Sequence, residues 1–216
     1  MVFYTKTLND ADKEKIMQWI PFATTIYNIG QINSCEVALL QDISDSNSNI
    51  FVSGQDDRVL LTTDIIDFIN SGNSPLVLIH NHMGMETSFS NRDIEALYDY
   101  SRIVYIVVIN SKQEIYVLGK TPKTKSRDNV FDIYWSWWSD SERKAYRLRL
   151  ETSKMIGHSP LAIHASSQEY ANLIKIEYDV IAALHNMTNK EEFIKFAEKA
   201  GFHGAYLYNE KFPDKM

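Results

Sequence analysis

Leu76-Val-Leu-Ile-His80-Asn-His82, continuing through Met83-Gly84-Met85-Glu86-Thr87-Ser88-Phe89-Ser90 to Asn91-Arg92-Asp93, is the stretch that decides how the chain is read. Val77, Leu78 and Ile79 are branched, follow a Ser74-Pro75 breaker and precede polar residues, which is the mark of a short buried strand. Residues two apart on a strand project from one face, so His80 and His82 aim at a common point while Asn81 faces away. Ser90 then stands at the N-cap of a helix through Ile94-Glu-Ala-Leu-Tyr98, with Asp93 in its first turn. A carboxylate there folds back toward the strand end. Two imidazoles, a carboxylate and a water form the open four-coordinate arrangement of a catalytic zinc, so His80, His82 and Asp93 are the expected ligands of one Zn2+ per chain. Taken alone, Ser-x-x-Asp is equally well a helix cap and a His-x-His pair is often incidental; their order on these elements carries the reading.

His-x-His, seven residues, then Ser-x-x-Asp resembles the signature of the JAMM metalloproteases, also called MPN-plus or JAB, and it is matched at His80, His82, Ser90 and Asp93. The asparagine of His-Asn-His is most similar to the bacterial RadC-like branch. Met83-Gly84-Met85-Glu86 stands where that branch carries a proline-rich loop, and Phe89 precedes Ser90; both departures lie outside the ligand positions. The resemblance implies an α/β fold, a cytidine-deaminase-like core whose mixed β-sheet is flanked by helices. It also implies a catalytic Glu on an earlier strand, for which Glu36 is the candidate, because it heads the apolar segment Val37-Ala-Leu-Leu40. Without the resemblance, Glu36 reads as an exposed strand-edge acid.

The activity so implied is hydrolysis of a peptide or isopeptide bond by water activated on zinc. Glu36 would be the general base, Ser90 would donate to the tetrahedral oxyanion, and Asn81 would orient. The partner would be a protein or peptide substrate, such as the C-terminal tail of a ubiquitin-like modifier. Two other uses of the same sequence stay open: a non-catalytic scaffold that binds a protein through its aromatic segment, and a RadC-like, DNA-associated accessory factor.

Composition sets the bounds. A chain of 216 residues with 44% apolar content can build a proper core, and its net charge of −6 argues against a general nucleic-acid-binding surface. The single Cys35 rules out a disulfide within one chain and suits a reducing compartment. The N-terminus, Met1-Val-Phe-Tyr-Thr-Lys6, lacks the apolar core of a secretory signal, and no run reaches the roughly 20 apolar residues that span a bilayer. The expected setting is cytoplasmic, without a membrane. Oligomeric state is not readable from the sequence.

In chain order, Asn9 to Ile20 reads as a capped helix that Pro21 limits, with Ile16, Trp19 and Ile20 on its apolar face. Thr24 to Ile29, rich in β-branched and aromatic types, reads as a first strand. Asp45-Ser-Asn-Ser-Asn49 joins Val37–Leu40 to Ile50–Val52 as a hairpin. Thr62-Thr63-Asp64 caps a helix through Ile65–Ile69 that Gly72 ends, and Ile103–Ile109 pairs with Glu114–Leu118 across Asn110-Ser111-Lys112. These elements place a JAMM/JAB core over residues 1–120.

Residues 121–216 differ in character and read as an aromatic, basic segment followed by a helical C-terminal extension. Positions 121–154 hold eight Lys/Arg against five Asp/Glu, a balance of +3, where positions 1–120 hold eight against fifteen, or −7. Tyr134, Trp135, Trp137 and Trp138 lie within this basic stretch, a composition that can stack on single-stranded nucleic acid or dock on the core. Asp128, Asp132, Asp140 and Glu142 interrupt the positive field and favour docking. Ser166-Ser-Gln-Glu169 and Thr188-Asn-Lys-Glu191 each precede a helical stripe, the second ended by Gly201. His158, His164, His185 and His203 are scattered and form no ligand pattern.

Overall fold

The sheet follows from alternation. On β4 (Leu76–Asn81) every residue is buried, and so is every residue of β2 (Val37–Asp42), which requires cover on both faces. The computed structural model describes residues 2–54, 62–83, 88–136 and 190–208, and within them a seven-stranded mixed sheet is covered on both sides. The other strands are β1 (Val2–Tyr4), β3 (Asn49–Ser53), β5 (Ile103–Ile109), β6 (Glu114–Gly119) and β7 (His203–Tyr208). Their spatial order is β1-β7-β6-β5-β4-β2-β3. Only β4 and β5 run parallel; α3 (Asn91–Asp99) is the crossover between them.

Two cores form because successive side chains leave opposite faces. Leu76, Leu78, Ile106, Val108, Tyr116 and Tyr206 pack with α2 (Thr63–Asn70), α3, the helical stretches α4 (127–136) and α5 (190–200). Val77, Ile79, Val107, Ile109, Val117 and Leu207 pack against α1 (Asp10–Asn33). The result is an α/β fold with a mixed sheet between helical layers, as the alternating elements predict at that level.

Residues 10–33 differ from expectation. One helix of 24 residues runs through Pro21, and Thr24–Ile29 is its second half rather than a strand. Ile16, Trp19, Ala23, Ile26 and Gly30 are buried at spacings of three and four, a single stripe against the sheet. Pro21 lies on the exposed side, where it removes one backbone donor and costs about 3 kcal/mol. Burial of the stripe outweighs that cost and the strand preference of Thr24, Thr25 and Ile26. Both threonines turn their hydroxyls back onto the helix, Thr24 to the Ile20 carbonyl at 3.0 Å and Thr25 to the Pro21 carbonyl at 2.9 Å. At its ends, Asn9 accepts from the Asp12 N–H and Ser34 takes the left-handed conformation, φ 52°.

The far end of the chain also departs from a purely helical extension. After α5 the chain closes a Schellman turn, with the Phe202 N–H bonded to the Ala197 carbonyl and Gly201 at φ 81°. His203–Tyr208 is then a strand, inserted between β1 and β6, so one sheet draws on both ends of the chain. This strand is buried on both faces and too short to show a period of its own. Within α4, Tyr134 is buried in the core while Trp135 is half exposed; Trp137, Trp138 and the expected helix after Ser166 lie outside the described residues, as do His158, His164 and His185. Among the described residues no helix is long and apolar enough to cross a membrane.

If α1 is continuous, replacing Pro21 restores a helix bond without touching the packed stripe. Pro21→Ala is expected to raise the free energy of unfolding by about 1–3 kcal/mol in a urea titration. A loss of stability would contradict a continuous helix there.

Candidate metal centre

Three side chains meet where β4 ends. His80 follows Leu76 and Leu78 on the face covered by α3, and His82 follows it two residues on, its N–H bonded to the Ile109 carbonyl of β5 at 2.9 Å. From the facing helix, Asp93 reaches back. Its Oδ1 lies 2.9 Å from His80 Nε2 and its Oδ2 lies 3.4 Å from His82 Nε2, while the two Nε2 atoms are 3.2 Å apart. All three residues are buried, and one donor atom from each lies within 4.8 Å of the others.

The spacing fits a single ion. Donor atoms about 2.0–2.1 Å from a tetrahedral zinc stand about 3.3 Å from one another; the two Nε2 atoms are 3.2 Å apart, and each lies near a different oxygen of the one Asp93 carboxylate. Two nitrogens and one carboxylate oxygen, with no fourth protein donor among the described residues, leave a coordination position open. His80 Nδ1 has no hydrogen-bond partner among the described residues, so that ring is oriented from its Nε2 side and by packing.

Asp93 is held by its own helix. Ser90 is the N-cap: its N–H and its hydroxyl each donate to Asp93 Oδ2 at 2.7 Å, and its Oγ accepts from the Asp93 N–H at 3.3 Å. The capping box therefore does two things at once, starting the helix and fixing the carboxylate. The Ser90 hydroxyl proton is committed to Asp93 in this arrangement, so donation to an oxyanion requires the hydroxyl to rotate away. Burial alone would push the Asp93 carboxyl up, but the charges and hydrogen bonds of His80 and His82 outweigh it and hold the group well below the usual carboxylate range. An ionised Asp93 at neutral pH is a ready ligand.

Glu36 arrives from the neighbouring strand. The β2–β4 ladder pairs Ala38 with His80, and Glu36 lies two residues before Ala38, just ahead of β2, where the chain runs alongside the end of β4 and the charges of His80 and His82 reach it. Glu36 is buried, and its carboxylate accepts from the Met83 N–H. Burial pushes its pKa up; His80 and His82 pull it down, and the nearby Asp93 carboxylate adds to the rise. The net result is a carboxyl titrating above its ordinary value beside two imidazoles and an acid, an environment suited to taking up and releasing a proton.

Asn81, between the histidines, faces the other way as the alternation requires. Its Oδ1 accepts from the Val37 N–H at 2.7 Å. Tyr134 of α4 adds a wall: its hydroxyl donates to the Phe89 carbonyl at 3.3 Å, just before the N-cap, and burial with the nearby Asp93 charge raises its pKa to about 12. The sequence marks Tyr134 only as part of an aromatic run; nothing in its spacing ties it to the histidines. His203 sits apart on β7, beside Thr7 and Asp12.

A cleft of about 410 Å³ lies at the opposite end of β4 from the histidines, between α2 and α3, lined by Ile69, Gly72, Tyr100 and Arg102. Its one guanidinium is already engaged, donating to the carbonyls of Phe68, Ile69 and Ser74. Among the described residues, the one group of side chains able to hold a metal ion lies at the His80 end. Comparisons with protein-family models, curated proteins and solved structures give no match for this chain.

A carboxyl whose pKa is raised on folding destabilises the folded state wherever it is ionised. In metal-free protein, Glu36→Gln is expected to increase stability at pH 7. The gain should begin as pH rises past about 4.3, the ordinary Glu value, and be absent below it. Urea titrations of both proteins between pH 3.5 and 7.5 measure this; equal stability at every pH would show that the carboxyl is not desolvated.

Proposed function

We propose that the chain is a zinc-dependent peptidase or isopeptidase of the JAMM type, closest in motif to the RadC-like branch, acting on a protein or peptide amide such as the tail of a ubiquitin-like modifier. The observation that carries this reading is the convergence of His80 Nε2, His82 Nε2 and Asp93 with a second, protonatable carboxylate, Glu36, from the adjacent strand. A site that only bound metal for stability would gain nothing from a desolvated acid beside it. A carboxyl that burial pushes up beside two imidazoles is suited to passing a proton, which supports a chemical role for it.

His80, His82 and Asp93 would hold the ion, and zinc, when bound, acidifies water and polarises an amide carbonyl. Glu36 takes the proton of the attacking water as the new C–O bond forms. It then returns that proton to the leaving nitrogen as the C–N bond breaks, so that one water is consumed and the carboxyl ends in its starting state. Ser90 keeps Asp93 in place through the capping box, and its hydroxyl, once rotated away from Asp93, would be the donor to the developing oxyanion. No side chain forms a covalent intermediate in this scheme. The net charge of −6 and the acidic residues interleaved through 121–154 favour a protein substrate over nucleic acid.

The test compares variants on a fluorogenic amide built on a ubiquitin-like tail. Glu36→Gln should keep zinc and lose roughly 10²–10⁴ in kcat, the range a general base contributes. Asp93→Ala should lose both metal and turnover. Wild-type rates from Glu36→Gln would remove Glu36 from the chemistry.

A further inference from the structure

The β2–β4 ladder stops at the Ala38–His80 pair, one residue short of the site. At the next position, Val37 opposite Asn81, a side chain replaces the backbone rung. Asn81 Oδ1 accepts from the Val37 N–H at 2.7 Å, and Asn81 Nδ2 donates to the Cys35 carbonyl at 3.5 Å. Those two backbone groups flank Glu36 on either side. The Glu36 carbonyl is itself tied to the Gly54 N–H of the β3 end at 2.7 Å.

The amide is fully buried, on the α1 side of the sheet, opposite the histidines. It fits only because α1 presents a glycine there. A Cβ on Gly30 would stand 2.3 Å from Asn81 Nδ2 and 2.9 Å from the Cys35 carbonyl oxygen. Gly30 has no positive φ and lies within the buried stripe of a helix, where alanine would otherwise be the better residue. Close approach, rather than conformational freedom, therefore accounts for a glycine at this position.

We infer that Asn81 is a positioning residue for Glu36. One amide, seated in the Gly30 notch, sets the backbone on both sides of the acid and so fixes where its carboxylate lies relative to His80 and His82. The inference rests on the reading of Glu36 as the base. The chain segment that carries the two ligands thus carries, on its reverse face, the clamp for the proton acceptor. Ligand histidines and base share one rigid strand end through Asn81, while Asp93 is set independently by the capping box of α3.

Misplacing a reacting group by about 1 Å can cost on the order of 100-fold in rate, whereas disturbing the support of a metal ligand costs roughly 10–100-fold in metal affinity. These two effects separate a clamp on Glu36 from a support for His80 and His82. Crystal structures of zinc-loaded wild type, Asn81→Ala and Gly30→Ala, with zinc affinities from chelator competition, make the test. The expected result is a Glu36 carboxylate displaced by about 1 Å with the three ligands in place and zinc affinity changed less than 10-fold. A carboxylate that stays where it is in both variants, or ligands that move with a 10-fold or larger loss of zinc, would overturn the inference.

Gly30→Ala leaves residue 81 intact and gives the reading if Asn81→Ala does not fold. In kcat, Asn81→Ala added to Glu36→Gln should produce no further loss, because both act through one carboxylate. Absence of hydrolysis in wild type would count against the peptidase reading and leave the displacement readable on its own.

Discussion

Everything near the site depends on a buried carboxylate being kept ionised by two imidazoles. Asp93 has lost its water, and a lone carboxylate in that position would take up a proton. Contacts of 2.9 and 3.4 Å to His80 and His82 reverse that preference. The same contacts gather both imidazoles and the carboxylate, so that one donor atom of each lies within 4.8 Å of the others. The capping box then makes the arrangement cheap to build, since the bonds that orient Asp93 are those that α3 requires at its N-terminus in any case.

The fold supplies the remaining geometry through strand periodicity. On one face of β4 lie Leu76, Leu78, His80 and His82; on the other lie Val77, Ile79 and Asn81. The first face meets α3, which brings Asp93, and α4, which brings Tyr134. The second meets α1, whose Gly30 leaves room for the Asn81 amide. A one-residue slip of β4 against β2 would exchange these sets, sending the histidines toward α1 and Asn81 toward Asp93. The register Ala38–His80 is therefore part of the site, because it brings the start of β2, which Glu36 precedes, beside the end of β4.

Much of this was legible because it is local. His80, His82, Ser90 and Asp93 lie within 14 consecutive residues, and strand alternation with a helix cap suffices to bring them together. The β2–β3 and β5–β6 hairpins and α2 were readable for the same reason. What was not legible depends on tertiary burial. Pro21 reads as a stop until the sheet supplies a surface for Ile16, Trp19, Ala23, Ile26 and Gly30. His203–Tyr208 follows a helix and has no pattern of its own, yet the uncovered edge of β6 makes it a strand. The place of Tyr134 beside the N-cap and the notch at Gly30 are long-range contacts that no spacing announces.

The central claim is that His80, His82 and Asp93 hold a metal ion. Elemental analysis of protein purified without added metal, wild type beside His82→Ala, tests it most directly. The account predicts close to one zinc per wild-type chain and a loss of that zinc in the variant. Metal-free wild type that also fails to take up added zinc, or zinc retained in full by His82→Ala, would contradict it.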